Sequence, residues 1–394
     1  LSVSSVPTGL RAATRYIPEV ESLRGIAILL VLFHHADGLL TPKLAGGGVS
    51  VSLLRAFVAG GQTGVSLFFV LSAFCLSMPF FRRADEAAQF SLRTFYERRA
   101  LRILPLYWTM VAIATLYYAG QTANLTNFAT YALFLNSFAG WATPLPPFSN
   151  VWWSLATEVQ FYLLLPLLPF VLRSPFGRWI GLAAAVLYLG WFVLFLQGSF
   201  PSESVVGEIA LASSVLARGP IFLVGIAVAW IHARHGDSVA TWMRSKRVLR
   251  AGGGDLLLLS VLVAMACLLQ WQVGFGFWKA ETRAYYVWHV AEGLLWGSML
   301  FLLLAAPLRS RPLFCNRLLN QAGLWSYSIY LIHLPLLVFS FIQLRHLSLP
   351  QFTTWTPWSF AAVALLSVLC FALAGCTYRW IEKPFLVRKA RLGD

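Results

Sequence analysis

The stretch ESLRGIAILLVLFHHADG, Glu21 to Gly38, has the apolar length of a membrane helix, yet it carries Arg24 near its start and His34 and His35 past its middle. Arg24 and His35 are eleven positions apart. At ~100° per residue that is about 1100°, roughly 20° from three whole turns, so both side chains share one helix face. They stand ~16 Å apart along the axis, too far to touch but able to line one path at two depths. Ionisable groups in a membrane helix are costly and as a rule face protein or a water-filled cavity. A functional role for the pair is therefore favoured over a merely structural one.

The rest of the chain has the same character. Its 394 residues are 58% hydrophobic and 11% charged, with a mean hydropathy of +0.70. A soluble domain carries roughly 25% charged residues, and repeated apolar runs near twenty residues read as membrane spans. A net charge of +15 would suggest nucleic acid in a soluble protein. Here the Lys and Arg fall between apolar runs, as in cytoplasmic loops, so the expected partner is the lipid bilayer and not nucleic acid. Residues 1–20 lack the apolar core and cleavage site of a signal peptide and are expected to form a cytoplasmic N-terminal segment. Cys75, Cys267, Cys315, Cys370 and Cys376 lack metal-ligand spacing and read as small hydrophobes.

Charge asymmetry sets the expected topology. Arg11, Arg15 and Arg24 put the N-terminus inside, and the first span leads out to a Gly-rich loop around Lys43–Gly48. The second, about Gly64–Phe81, returns to a basic loop with Arg82, Arg83, Arg93, Arg98, Arg99 and Arg102. The third, about Leu104–Ala119, goes out. The run Phe128–Trp141 lies in the uncharged stretch Gly120–Asn150; a full span there would put later basic loops outside, so it reads as interfacial or re-entrant. Val151–Leu172, Trp179–Gln197, Ile209–His232, Asp255–Trp271, Tyr285–Ala306, Leu324–Gln343 and Trp358–Ile381 follow, with Glu203 and Glu208 in an outer loop. The expectation is an all-α polytopic membrane protein of about ten transmembrane helices plus one interfacial or re-entrant segment, both termini cytoplasmic. Residues 21–386 would form one membrane domain and 387–394 a cytoplasmic tail. Trp152, Trp153, Trp179, Trp271, Trp355 and Trp358 fall at predicted membrane edges.

Candidate chemistry lies in four segments. VWWSLATEVQFY runs opposite to the first span and brings Glu158 to about the depth of His35, with Ser154, Glu158 and Tyr162 spaced i, i+4, i+8. A buried carboxylate beside an imidazole can fix its tautomer and stabilise the imidazolium; the alternative is that Glu158 pairs with an arginine to join helices. In SYSIYLIHLPLL, His333 shares a face with Ser326 and Tyr330 and reads more readily as a helix contact than as a catalyst. His34 points ~100° away from His35, so the spacing from Arg24 selects His35. In FYERRALRILPLYW, Arg98, Arg99 and Arg102 either mark topology at lipid headgroups or clamp phosphates. In GQTGVSLFFVLSAF, Gly61, Gly64, Ser66, Ser72 and Ala73 permit close helix approach, and Gly61 and Gly64 can also admit a ligand to the backbone.

Together these segments resemble the acyltransferase-3 family of bacterial integral-membrane acyltransferases. Arg24 and His35 match its Arg-x10-His pattern, and Gly61 to Ser72 its Gly-x-x-Gly-Val…Phe-Phe…Ser block. Arg99 and Arg102, followed by Pro105 and Tyr107, match Arg-x-x-Arg and Pro-x-Tyr. Trp153 to Tyr162 match Trp-Ser-Leu…Glu…Phe-Tyr, Tyr330 and His333 match Tyr-x-x-His, and Tyr378 to Pro384 match the closing Tyr-Arg…Ile-Glu-Lys-Pro. Ala73 stands where a glycine usually follows the serine. Val159 stands where a second glutamate often follows, which leaves Glu158 as the only carboxylate there.

The resemblance implies transfer of an acyl group, commonly acetyl, from cytoplasmic acyl-CoA (acetyl-CoA foremost) to a hydroxyl of an extracytoplasmic or membrane-linked carbohydrate or glycoconjugate, in the bacterial inner (cytoplasmic) membrane. Joined to the residue reading, it gives His35 as general base oriented by Glu158. Arg99 and Arg102, with neighbouring Arg98, would dock the coenzyme A phosphates, and Arg24 would stand at the inner mouth. Tyr162, Ser154, Tyr330, His333 and Ser72 stay open as substrate or oxyanion candidates. No metal is expected, because a thioester is already activated and no ligand cluster is present. The alternatives are an acylated His35 intermediate and, from another class, a membrane transporter of a small anion or acyl metabolite; transport would be favoured by an internal repeat, and the two halves show none.

Overall fold

The computed structural model describes residues 17–41, 51–81, 91–119, 125–137, 144–197, 214–275, 284–346 and 355–392. Ten helices among them are long and apolar enough to cross a bilayer: α1 (Pro18–Leu40), α2 (Thr63–Phe81), α3 (Leu92–Tyr117), α4 (Trp153–Arg173), α5 (Pro175–Leu194), α6 (Val215–Ser245), α7 (Leu249–Gly274), α8 (Trp288–Ala305), α9 (Ser326–His346) and α10 (Pro357–Ala390). The chain is an all-α polytopic membrane protein. Arg11, Arg15, Lys43–Gly48, Arg82, Arg83, Glu203, Glu208 and the end of Phe128–Trp141 lie outside the described residues.

Local sequence explains where these helices start. Pro18 opens α1, where a missing N–H costs nothing, and Glu19 and Glu21 sit in its positive first turn. Ser91 and Ser214 accept the Thr94 and Ala217 N–H groups at the heads of α3 and α6, and Thr356 with Ser359 forms a capping box on α10.

The two largest departures from the sequence-based limits are in α3 and α6. α3 begins at Leu92, not near Leu104, because the arginine-rich run continues the helix instead of looping. The C-terminal piece Lys383–Ala390 packs along that extension and supplies the contacts that a loop would lack. α6 runs on to Ser245 past His232; at 31 residues it is ~46 Å long and overshoots a ~30 Å core. The piece after α3 is a short helix, Leu125–Ala132, followed by a single 3-10 turn, Leu135–Ser137. Eight residues reach only ~12 Å, too short to cross. Protein holds it: the Tyr107 hydroxyl donates to the Tyr131 carbonyl at 2.8 Å, and Tyr107 stacks on Phe134 with centroids 4.5 Å apart.

The core is built where α1, α2, α6, α8 and α9 meet. Gly61 and Gly64 face the backbone of α1, where a Cβ on either would collide with the carbonyl oxygen of Leu30 or Ala27. Of their two sequence readings, close helix approach is therefore the one the packing uses. α5 stands at the other extreme, with 6% of its span buried, as a lipid-facing helix would be. The tryptophans divide in the same way. Trp179 and Trp358 are 71% and 69% exposed, whereas Trp152 is fully buried beneath Tyr107 and Tyr131, and so is a core residue rather than part of an interfacial belt.

Candidate active site

His35 lines a cavity of about 60 Å³ together with His34, Tyr330 and residues of α2, α4, α6, α7 and α8. Its Nδ1 lies 2.9 Å from the Val31 carbonyl and 3.1 Å from Nε2 of His333. His333 is fully buried, and its own Nδ1 faces the carbonyls of Ile329 and Tyr330 at 3.0 and 2.8 Å. Carbonyl oxygens only accept, so Nδ1 of His333 carries its proton and Nε2 presents a lone pair. Nδ1 of His35 then faces two acceptors and must carry its own proton. Nε2 of His35 is left as the basic nitrogen. His34 takes no part in this pair; its Nδ1 lies 2.7 Å from the Ala59 carbonyl.

Glu158 does not meet His35. It accepts the hydroxyls of Ser72 and Tyr162, each at 2.5 Å, in a second cavity of about 130 Å³. The residue against His35 is His333, so the sequence-based assignment of Glu158 as its orienting partner is replaced. Similar depth on two helices fixes the height of a side chain but not its bearing around the axis. The hydroxyl of Tyr330 lies 2.6 Å from Ser154 Oγ and donates to the Val151 carbonyl at 2.7 Å. Tyr330 and Val65 line both cavities, so the two are neighbours across these side chains.

Arg24, Arg99 and Arg102 line the second cavity, with Cys75 beside them. Arg99 sits over the Tyr162 ring at 5.9 Å. Neither Arg24 nor Arg99 has an ion-pair partner among the described residues, and the Nε of each is buried without a hydrogen bond. Arg102 differs, since Glu382 holds it at 3.0 Å. Glu382 also accepts the Ser328 hydroxyl and is 2% exposed, so the closing Ile-Glu-Lys-Pro segment ties α10 to α3 and α9. Arg102 is thereby less free to take a ligand phosphate than the sequence suggested.

One cluster was not found from the sequence. Arg218 of α6 donates to His289 Nδ1 at 2.9 Å, and Glu292 lies 3.2 Å from that same nitrogen. The Ser66 hydroxyl donates to Glu292 at 2.8 Å, and the Arg218 guanidinium lies 5.0 Å from the Trp153 ring centre. Ser66, Trp153, Arg218, His289 and Glu292 all line the His35 cavity. The signal was available: a histidine, a glutamate and an arginine inside apolar spans are functional candidates by default.

Two adjoining cavities, one lined by His35 and the other by Arg24 and Arg99, place ionisable side chains inside the helical bundle of a multi-pass membrane protein. The family described as acyltransferase domain, acyltransferase-3, matches residues 17–376, and the chain belongs to it. The chain is 25% identical to the peptidoglycan O-acetyltransferase OatA of Listeria monocytogenes, over 95% of its own length and 56% of that protein's. It is 25% identical to the putative peptidoglycan O-acetyltransferase YrhL of Bacillus subtilis, over 94% and 55%. To the O-acetyltransferase OatA of Staphylococcus aureus it is 24% identical, over 94% and 57%. The chain thus spans little more than half the length of these curated relatives. No solved structure matches it.

Proposed function

We propose that this chain moves an acyl group, acetyl foremost, from cytoplasmic acyl-CoA to a hydroxyl of an extracytoplasmic or membrane-linked glycan, working in the bacterial inner membrane with both termini cytoplasmic. One observation carries the reading: Nε2 of His35 is a free base at a cavity that adjoins a cationic one. Arg24 and Arg99, with Arg98 nearby, take the donor phosphates, for which the guanidinium fork is suited. The pantetheine arm passes Tyr330 towards His35. Nε2 removes the acceptor hydroxyl proton as that oxygen attacks the thioester carbonyl, a role worth typically 10²–10⁴-fold. Collapse of the tetrahedral intermediate breaks the C–S bond, and His35 returns the proton to the departing thiolate. An ester and free coenzyme A result.

For the oxyanion Tyr330 is placed best, at the junction of the cavities. Its hydroxyl has to turn from the Val151 carbonyl to donate there, Tyr162 and Ser72 donate to the Glu158 carboxylate, and Nε2 of His333 is an acceptor. Acetyl and a glycan are the group and acceptor in the names of the peptidoglycan-acetylating relatives, and membership of an acyltransferase family favours transfer over transport. Purified protein in membranes should release coenzyme A thiol from acetyl-CoA when a glycan acceptor is supplied. Acceptor-independent uptake of intact acyl-CoA, with no thiol released, would favour the transporter instead.

A further inference from the structure

The network that shares the His35 cavity has no part in the chemistry above. Arg218, His289 and Glu292 are 6%, 1% and 1% exposed. Burying charges costs several kcal/mol per ion and is recovered only with close partners, so such a cluster persists where it holds helices together or serves a ligand. A second observation separates these roles. Gln272 of α7, 1% exposed, lines the same cavity, and its Oε1 has no hydrogen-bond partner among the described residues. An amide oxygen buried without a donor costs about 1–3 kcal/mol, and nothing in helix packing supplies that donor. Trp153 and Trp288 also line the cavity, giving it apolar ring surface beside its polar groups.

Resting on the transfer reading above, we infer that this wall is the acceptor subsite, and that it recognises a polyol through hydroxyls on neighbouring carbons. Gln272 and Glu292 each accept one O–H, Trp153 and Trp288 cover the C–H faces, and the Arg218 guanidinium, docked on His289, supplies the positive charge beside Glu292. These are positioning residues: they seat one hydroxyl against Nε2 of His35, which alone takes the proton. The cavity of about 60 Å³ has room for a few water-sized groups, at ~10–15 Å³ each. A hydroxyl-bearing edge of a sugar enters it, with the remaining ring outside.

The test uses membranes carrying the full chain and their native glycans, with acetyl-CoA labelled in the acetyl group. Label is read as glycan ester and as free acetate, and coenzyme A affinity is measured separately. Gln272→Met should lower the ester-to-acetate ratio about 2- to 12-fold, the loss of one ordinary hydrogen bond. Glu292→Gln should lower it about tenfold or more, since a charged acceptor is lost. Coenzyme A affinity should stay within about twofold in both, because the donor cavity does not include them. Damage to the fold alone would lower ester and acetate together and leave their ratio unchanged. Should Gln272→Met fail to accumulate, Trp288→Phe is read in the same way. In the wild type, added glycerol should divert label and 1-propanol should not; equal diversion overturns recognition of paired hydroxyls. A wild type that labels no glycan overturns the transfer reading and this subsite with it. Labelled glycan in the wild type with an unchanged ratio in the variants overturns the subsite alone.

Discussion

Replacing His333 by leucine separates two roles for the histidine pair. The substitution removes one of the two acceptors that face Nδ1 of His35 and leaves the Val31 carbonyl, 2.9 Å away, in place. The protonated nitrogen of His35 therefore stays the same, and only one neutral hydrogen bond is lost. A bond of that kind is worth about 0.5–1.5 kcal/mol net, which corresponds to a slowing of roughly 2- to 12-fold. The carbonyls of Ile329 and Tyr330 lie on the same helix as His333 and retain their helical N–H partners, so little stability should be lost with the ring. Loss of the base itself, in His35→Ala, should cost ~10²–10⁴-fold. Single-turnover thiol release from acetyl-CoA, measured on reconstituted protein with acceptor present, compares the two variants directly. A His333→Leu enzyme as slow as His35→Ala would mean that His333 does chemistry of its own, and an unaltered rate would mean that it orients nothing.

Other consequences can be checked more briefly. Glu382→Gln leaves Arg102 without its ionic partner in a site where the Glu382 side chain is 1% exposed, so we expect a loss of about 3–5 kcal/mol, visible as a lower melting temperature in detergent; an unshifted transition would show that the closing segment does not hold the bundle. Cys75 lines the arginine-lined cavity proposed for the donor, so coenzyme A at ten times its Kd should slow maleimide labelling of that thiol about tenfold, followed by peptide mass spectrometry. Equal labelling with and without coenzyme A would place the donor elsewhere. Gly64→Val drives a side chain into the Ala27 carbonyl, and a cost of about 1–3 kcal/mol should appear in thermal unfolding; wild-type stability would contradict the close approach of α1 and α2.

Hydropathy made the ten spans legible, since each must satisfy its backbone internally and present about twenty apolar residues to lipid. The limits of α3 escaped because Arg93, Arg98, Arg99 and Arg102 read as a loop, whereas the helix is sustained by a neighbour 280 residues further on, at Glu382. His35 was singled out by an eleven-position spacing from Arg24 along one helix. Its partner was not, because the depth of Glu158 carries no information on which way α4 is turned, and only packing reveals that His333 of α9 faces His35 instead. Gly61 and Gly64 kept two readings until the α1 backbone was seen against them. Arg218, His289 and Glu292 lie outside the motifs that led the reading, though each is an ionisable residue in an apolar span.

The central claim is that one imidazole serves a thioester from one side of the membrane and an alcohol from the other. Proteoliposomes enclosing a glycan acceptor, with labelled acetyl-CoA supplied only outside, test it directly. The expected result is labelled ester inside, coenzyme A thiol remaining outside, and a fall of ~10²-fold or more with His35→Ala. Intact labelled donor accumulating inside, at a rate that His35→Ala leaves untouched, would contradict it.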